Sequence, residues 1–211
     1  MKNYFRRLAF LVFLVFLVFC SGWAQTNDNT GEAKGTTIED YYPLVLNKMV
    51  NKLFSDGTFL TQKFVKIEKH KGYKLVTIKT PSPLLFYTTY FISKNQVIII
   101  KMRTPSHPEM DFDYTDNLQN VTYVWVLPGT LSNDTWYSSH GAKCRAYFGS
   151  ASTKKKTYND CVIVEQISNP DEQGKVLISR DYYARNVGWV LEQEFYQGEP
   201  EDNEFTSQLK D

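Results

Sequence analysis

The sequence predicts an all-β protein: a single antiparallel meander curled into a half-barrel, barrel or sandwich. Three observations carry this reading. Apolar residues recur mostly with period two. They do so in Lys143-Cys144-Arg145-Ala146-Tyr147-Phe148, and again where Val187, Trp189, Leu191 and Phe195 share one parity against Glu192 and Glu194 on the other. Turn-forming pairs punctuate the chain at short intervals: Asp56-Gly57, Lys71-Gly72, Lys94-Asn95, Pro128-Gly129 and the run Asn169 to Gly174. No long amphipathic helix intervenes. Short connections favour antiparallel neighbours, since a parallel crossover needs about a dozen residues or more.

Residues 1–24 read as an export signal. Lys2, Arg6 and Arg7 precede Leu8 to Phe19, an unbroken apolar run of 12 residues. As a helix that run covers only ~18 Å, against ~30 Å of bilayer hydrocarbon, so it is too short for a transmembrane span. Gly22-Trp23-Ala24 places small residues where signal peptidase I cuts, before Gln25. Leu17-Val18-Phe19-Cys20 is the rival lipoprotein signal, but Phe19 occupies a position that normally holds Gly, Ala or Ser. The expected product is therefore a soluble periplasmic or cell-envelope protein rather than one anchored through Cys20. Cleavage removes three positive charges and no negative ones from 24 basic and 23 acidic residues, leaving 21 against 23. That balance gives no electrostatic footprint for nucleic acid.

Residues 25–40 have the polar composition of a flexible leader. Ile38 to Leu53 is ambiguous: Pro43 and the opening Tyr-Tyr-Pro-Leu argue against helix before residue 44, and a strand is expected after it. The remaining strands are expected at Phe59 to Glu68, Tyr73 to Thr80, Leu85 to Ser93, Gln96 to Met102, Val121 to Leu127, Lys143 to Phe148, Asp160 to Ile167, Val176 to Ala184 and Val187 to Phe195. Together they make one β domain over 41–197. Such a meander must curl to protect its edges. Residues 198–211, with five acidic side chains, read as a frayed acidic tail. Lys154-Lys155-Lys156 reads as a solvated hairpin tip. Cys144 and Cys161 flank that hairpin, so either a disulfide or two buried thiols is open. Asn186 suits a left-handed turn and Gly188 a bulge or close backbone approach.

Two sets of residues resemble a group of uncharacterised exported bacterial β-proteins. Tyr41-Tyr42-Pro43-Leu44, Asn47 and Ser55-Asp56-Gly57 are similar to that group's "YYPL, GN, W, Y, DG" start, without the Trp near Met49. Tyr158-Asn159-Asp160-Cys161-Val162-Ile163-Val164-Glu165 and Asp181-Tyr182-Tyr183-Ala184-Arg185-Asn186-Val187-Gly188-Trp189-Val190 resemble its "F-x-D-C-x-x-V-E" and "YYAKGVGLV", with Asn186 where Gly is usual. The resemblance spans about residues 41–197. It implies an envelope location and, by way of relatives similar to lipoprotein-carrier proteins, a curved half-barrel. It implies no activity.

The chemical inventory is thin. No G-x-S-x-G, H-E-x-x-H or P-loop pattern occurs. Ser139 and His140, as strand neighbours, would point to opposite faces. His107, Glu109, Asp111, Asp113 and Asp116 alternate like oxygen ligands, but Asp116 and Thr122 stand where a calcium loop needs Gly and Glu. No enzyme, metal or cofactor is therefore expected. Asn120-Val121-Thr122 and Asn133-Asp134-Thr135 match the glycosylation pattern, silent in a bacterial envelope. Aromatics are the stronger signal. Most of them suit the core of a pleated sheet. If the concave side stays open, Trp125, Trp136, Tyr182, Trp189 and Phe195 are the candidate lining of an apolar groove for a lipid, peptide or glycan. Alternatively an envelope protein partner covers the same face, and the chain is a structural or assembly subunit.

Overall fold

The computed structural model describes residues 35–81, 85–116, 123–138, 141–199 and 207–209. The candidate signal, its cleavage site, Cys20, Asn120, Ser139 and His140 lie outside these residues. Among the described residues thirteen strands, all paired antiparallel, form one sheet that curls without closing. They are β1 (Met49–Phe54), β2 (Phe59–His70), β3 (Tyr73–Thr80), β4 (Phe86–Ser93), β5 (Gln96–Arg103), β6 (Phe112–Asp113) and β7 (Tyr123–Val126) in the first half. The second half holds β8 (Thr135–Tyr137), β9 (Lys143–Ser152), β10 (Thr157–Ile167), β11 (Leu177–Ala184), β12 (Gly188–Tyr196) and β13 (Ser207–Leu209). Their spatial order is β6-β5-β4-β3-β2-β1-β13-β12-β11-β10-β9-β8, with β7 also paired to β5. Among the described residues no helix is long and apolar enough to cross a membrane.

Alternation along the strands sorts side chains onto two faces. The inner face collects Phe64, Val76, Ile92, Val97, Trp125, Trp136, Cys144, Val162, Tyr183 and Trp189 into one cluster, drawn from both ends of the sheet. Trp125 of β7 stacks on Tyr183 of β11 with centroids 4.8 Å apart, a pair worth ~0.5–1.5 kcal/mol beyond its buried area. A smaller cluster on the other face holds Ala151, Cys161, Ile163, Tyr182, Ala184, Val190 and Leu191. The β9–β10 hairpin leans toward β13, where the Lys154 N–H donates to the Gln208 side chain at 3.2 Å.

Two expectations are corrected, and one alternative left open by the sequence is resolved. The last residues of the expected leader take a regular element: Ile38–Tyr41 forms a one-turn helix, α1, whose Asp40 carboxylate accepts the Thr37 N–H at 2.7 Å. Pro43 acts only beyond that turn, and Ile38 and Tyr41 are fully buried. The tail is not wholly frayed. Ser207–Leu209 inserts between β1 and β12, because Gln208 pairs in register with both Leu53 and Leu191. Cys144 and Cys161 are free thiols. The hairpin forms, yet its register sets Cys144 opposite Gln166 and Cys161 opposite Gly149. The cysteines are thus displaced by five residues along β9, ~17 Å, far beyond disulfide reach.

Candidate functional site

The inner face changes character along its strands. On β11, Tyr183 is buried, whereas Asp181, two residues nearer the strand start on the same face, is half-buried. On β12 the sequence Trp189, Glu192, Glu194 runs from buried to half-buried in the same direction, and a bulge opposite Tyr182 and Tyr183 puts Val190 and Leu191 together on the other face. On β1 Val50 packs on the core, and Lys52 stands over the Trp189 ring, its ammonium 4.0 Å from the centroid. The result is a layer of buried aromatics, the floor, bordered at one end of the curled sheet by half-buried charged side chains, the mouth.

Specific hydrogen bonds fix that mouth. The Trp189 indole N–H donates to Asp181 at 2.7 Å, and the Ser207 hydroxyl donates to Glu192 at 2.6 Å. Asp181 and Glu192 lie directly opposite in register. Burial, then the neighbouring Glu192 charge, raises the Asp181 carboxyl to about 6. Burial, then Glu192 and Asp181, raises Glu194 to about 7. Below them, burial pushes the Tyr42 and Tyr183 phenols well up, and that of Tyr90 to about 12, so all three stay neutral. Their hydroxyls are hydrogen-bonding groups without charge.

The five aromatics expected to share an open lining do not do so. Trp125, Trp136 and Trp189 pack in the inner cluster and Tyr182 in the outer one, all four buried at 6% exposure or less. Tyr182 donates to Gln193 at 2.6 Å on that outer side. Phe195 is half-buried beneath the Arg180 guanidinium, 4.8 Å from its centroid. Bulges at Tyr182/Tyr183 and Tyr158/Cys161 shift the parity that the sequence alone leaves regular. Trp189 is the member of the set that borders the charged mouth. The residues missed were Lys52, Asp181, Glu192 and Glu194. Glu192 and Glu194 have the parity of a wet face, and only the bulge turns them inward with Trp189.

The two sets of motif residues meet in space. Tyr41 donates to Asp160 at 2.7 Å, and Arg185 binds Asp160 through Nε at 2.6 Å and the Tyr41 oxygen through Nη2 at 2.8 Å. The Asn186 N–H donates to the Asp40 carbonyl at 2.5 Å, and the Ile38 N–H to the Lys94 carbonyl at 2.8 Å. Residues 38–44 thereby strap the β4–β5 turn to the β11–β12 turn. Asn186 and Gly188 adopt φ of +61° and +102°, as the turn reading requires. A Cβ on Gly188 would lie 3.4 Å from Pro43 Cδ.

Elsewhere, polar groups are spent on one another. Glu165, 1% exposed, accepts from Arg145 at 2.6 Å and Arg180 at 2.7 Å. Burial alone would raise its carboxyl, but the two guanidiniums outweigh that and hold it below its ordinary value. In the 107–116 segment, His107 Nδ1 meets Glu109 at 2.9 Å, Asp111 accepts the Thr104 N–H at 2.6 Å, and Asp113 takes the Lys101 ammonium. Among the described residues no three His, Cys, Asp or Glu side chains are grouped to hold a metal ion.

No family model matches the chain, and no curated protein matches it. Two solved structures align over most of its length. One is a Bacteroides fragilis protein inferred to be exported and described as having a YmcC-like fold, with 13% identity, 81% of this chain and 99% of that chain covered, and a TM-score of 0.39. The other is a Parabacteroides distasonis protein inferred to be a lipoprotein, with 13% identity, coverage of 84% and 100%, and a TM-score of 0.38. At these values neither likeness assigns a function.

Proposed function

We propose that the protein is a non-enzymatic exported protein of the bacterial envelope that binds an amphiphilic ligand at the mouth of its curled sheet. The observation that carries this reading is Trp189, which forms aromatic floor and polar mouth at once: its ring faces Lys52 and its N–H holds Asp181. Trp189 is 6% exposed, so an acyl or aryl group reaches this floor by displacing Lys52 from the ring, and it then gains ~25 cal/mol per Å² of apolar surface covered. A polar head group then finds the half-buried Lys52, Glu192 and Glu194 around it. The 12-residue apolar run behind Lys2, Arg6 and Arg7 supports export.

The test uses N-phenyl-1-naphthylamine, a neutral dye that brightens in apolar surroundings. The folded protein is expected to enhance its emission while energy transfer to the dye quenches that of Trp189, and dodecylphosphocholine below its micelle threshold is expected to displace the dye. Absence of any dye signal removes the reading. A second reading, an assembly subunit, is favoured by one observation: Val45, Leu46, Met49 and Phe59 are large apolar side chains each more than half exposed in or beside β1 and β2. Under that reading the dye fails and a partner protein protects these residues instead.

A further inference from the structure

We infer that Asp181 and Glu194, set around the Glu192 charge, form a proton-operated catch at the seam of the sheet, tight while these two hold protons and loosened when they give them up. The seam is β13. Among the described residues it is where ladder hydrogen bonds join the β1–β7 half of the sheet to the β8–β12 half, and it is three residues long. Glu192 pairs in register with Ser207 of β13 on one side and with Asp181 of β11 on the other. Glu192 therefore lies directly beside the short strand that joins the two halves, and Asp181 one strand further on.

Each group facing the cluster is identifiable. Lys52 comes from β1, the Trp189 N–H and Glu194 from β12, and the Ser207 hydroxyl from β13. Tyr42 follows α1, Tyr90 belongs to β4 and Tyr183 to β11, and their phenols are neutral. One ammonium thus meets three carboxyls, so full ionisation leaves an excess of two negative charges on half-buried side chains. Like charges directly opposite on paired strands destabilise the pair. Retaining protons relieves that repulsion, which is why burial and neighbouring charge hold Asp181 at about 6 and Glu194 at about 7.

The sign follows from linkage. Both carboxyls lie above the ordinary values of 3.8 and 4.5 that they regain on unfolding. Their contribution to stability is complete below about pH 4 and is lost as pH rises through about 6 and about 7. This is independent of whether the mouth takes a ligand, since it concerns the protein alone.

The experiment is urea unfolding of the full chain between about pH 5 and about pH 8, in wild type and in the double variant Asp181→Asn, Glu194→Gln, with hydrogen exchange followed at the β13 amides. The wild-type midpoint is expected to fall across this range, and the fall to shrink by more than half in the double variant. The β13 amides should lose protection in the wild type beyond the acceleration that base gives the same amides in the variant. Parallel profiles for the two proteins overturn the catch. If the double variant does not fold, a carboxyl-carbon NMR titration of wild type decides: midpoints for Asp181 and Glu194 above about 5.5 support it, and ordinary midpoints below about 5 overturn it.

Discussion

Trp189 donates its indole N–H to Asp181 at 2.7 Å, across an antiparallel strand pair on whose inner face both side chains lie. The bond joins the apolar floor of the curled sheet to its charged mouth, and it holds Asp181 lower than burial alone would place it. Trp189→Phe keeps a ring on the floor and deletes the donor. Its Asp181 carboxyl is expected to titrate above the wild-type value of about 6, with a stability loss of about 1–3 kcal/mol at alkaline pH, where the carboxylate is left without its partner. Carboxyl-carbon NMR and urea unfolding measure the two effects. An unchanged Asp181 midpoint contradicts the role given to Trp189.

The turn that starts β12 depends on Gly188. Its φ of +102° is costly for any residue with a Cβ, and that Cβ would come into contact with Pro43 Cδ at 3.4 Å. Gly188→Val is expected to destabilise the fold by about 1–3 kcal/mol, whereas Asn186→Gly, at φ +61°, should cost little. Coincident urea melts for Gly188→Val and wild type would disprove the assignment.

Tyr41 is the hub of the strap. Its hydroxyl bridges Asp160 and Arg185, and its phenol is raised to about 12 by burial and then by the Asp160 hydrogen bond. Tyr41→Phe should cost about 0.5–1.5 kcal/mol per lost hydrogen bond. The same change should let the Asp160 carboxyl, now depressed first by Tyr41, rise toward its ordinary value. That depression stabilises the fold above the ordinary carboxylate range and is lost as pH falls below it, so the variant should be less sensitive to acid. An acid limb identical to that of wild type contradicts this.

The thiols give a simple check on register. Burial raises Cys144 to about 12 and Cys161 to about 11, which leaves both protonated and inert at neutral pH. Ellman's reagent should find no reactive thiol in the native mature protein and two after denaturation, and a reductant should leave the Tm unchanged. A Tm lowered by reductant would mean that a disulfide exists and that the β9–β10 register is wrong.

The sheet was largely legible in the sequence because period-two burial and turn pairs act locally. Tyr73–Thr80 forms as expected to the residue, and Gln96–Arg103 is one residue longer than its expected run. The site was less legible, for three physical reasons. A bulge reverses the face of Glu192 and Glu194, and no local residue pattern announces it. Ser207–Leu209 lacks strand character of its own and forms because two edges, β1 and β12, offer it ladders on both sides. The meeting of Tyr41 with Asp160 and Arg185 spans more than a hundred residues and depends on how the sheet curls. Aromatic content points to Trp125 and Trp136 as lining, yet packing side chains from both ends of the curled sheet into one core buries them.

The measurement that tests the central claim most directly is a chemical-shift map of the folded protein titrated with dodecylphosphocholine below its micelle threshold. An amphiphile bound at the mouth should saturate and shift the Trp189 indole N–H together with the amides of Lys52, Asp181, Glu192 and Glu194. Shifts confined to the exposed Val45, Leu46, Met49, Phe59 and Tyr137, with the Trp189 indole unmoved, would contradict it.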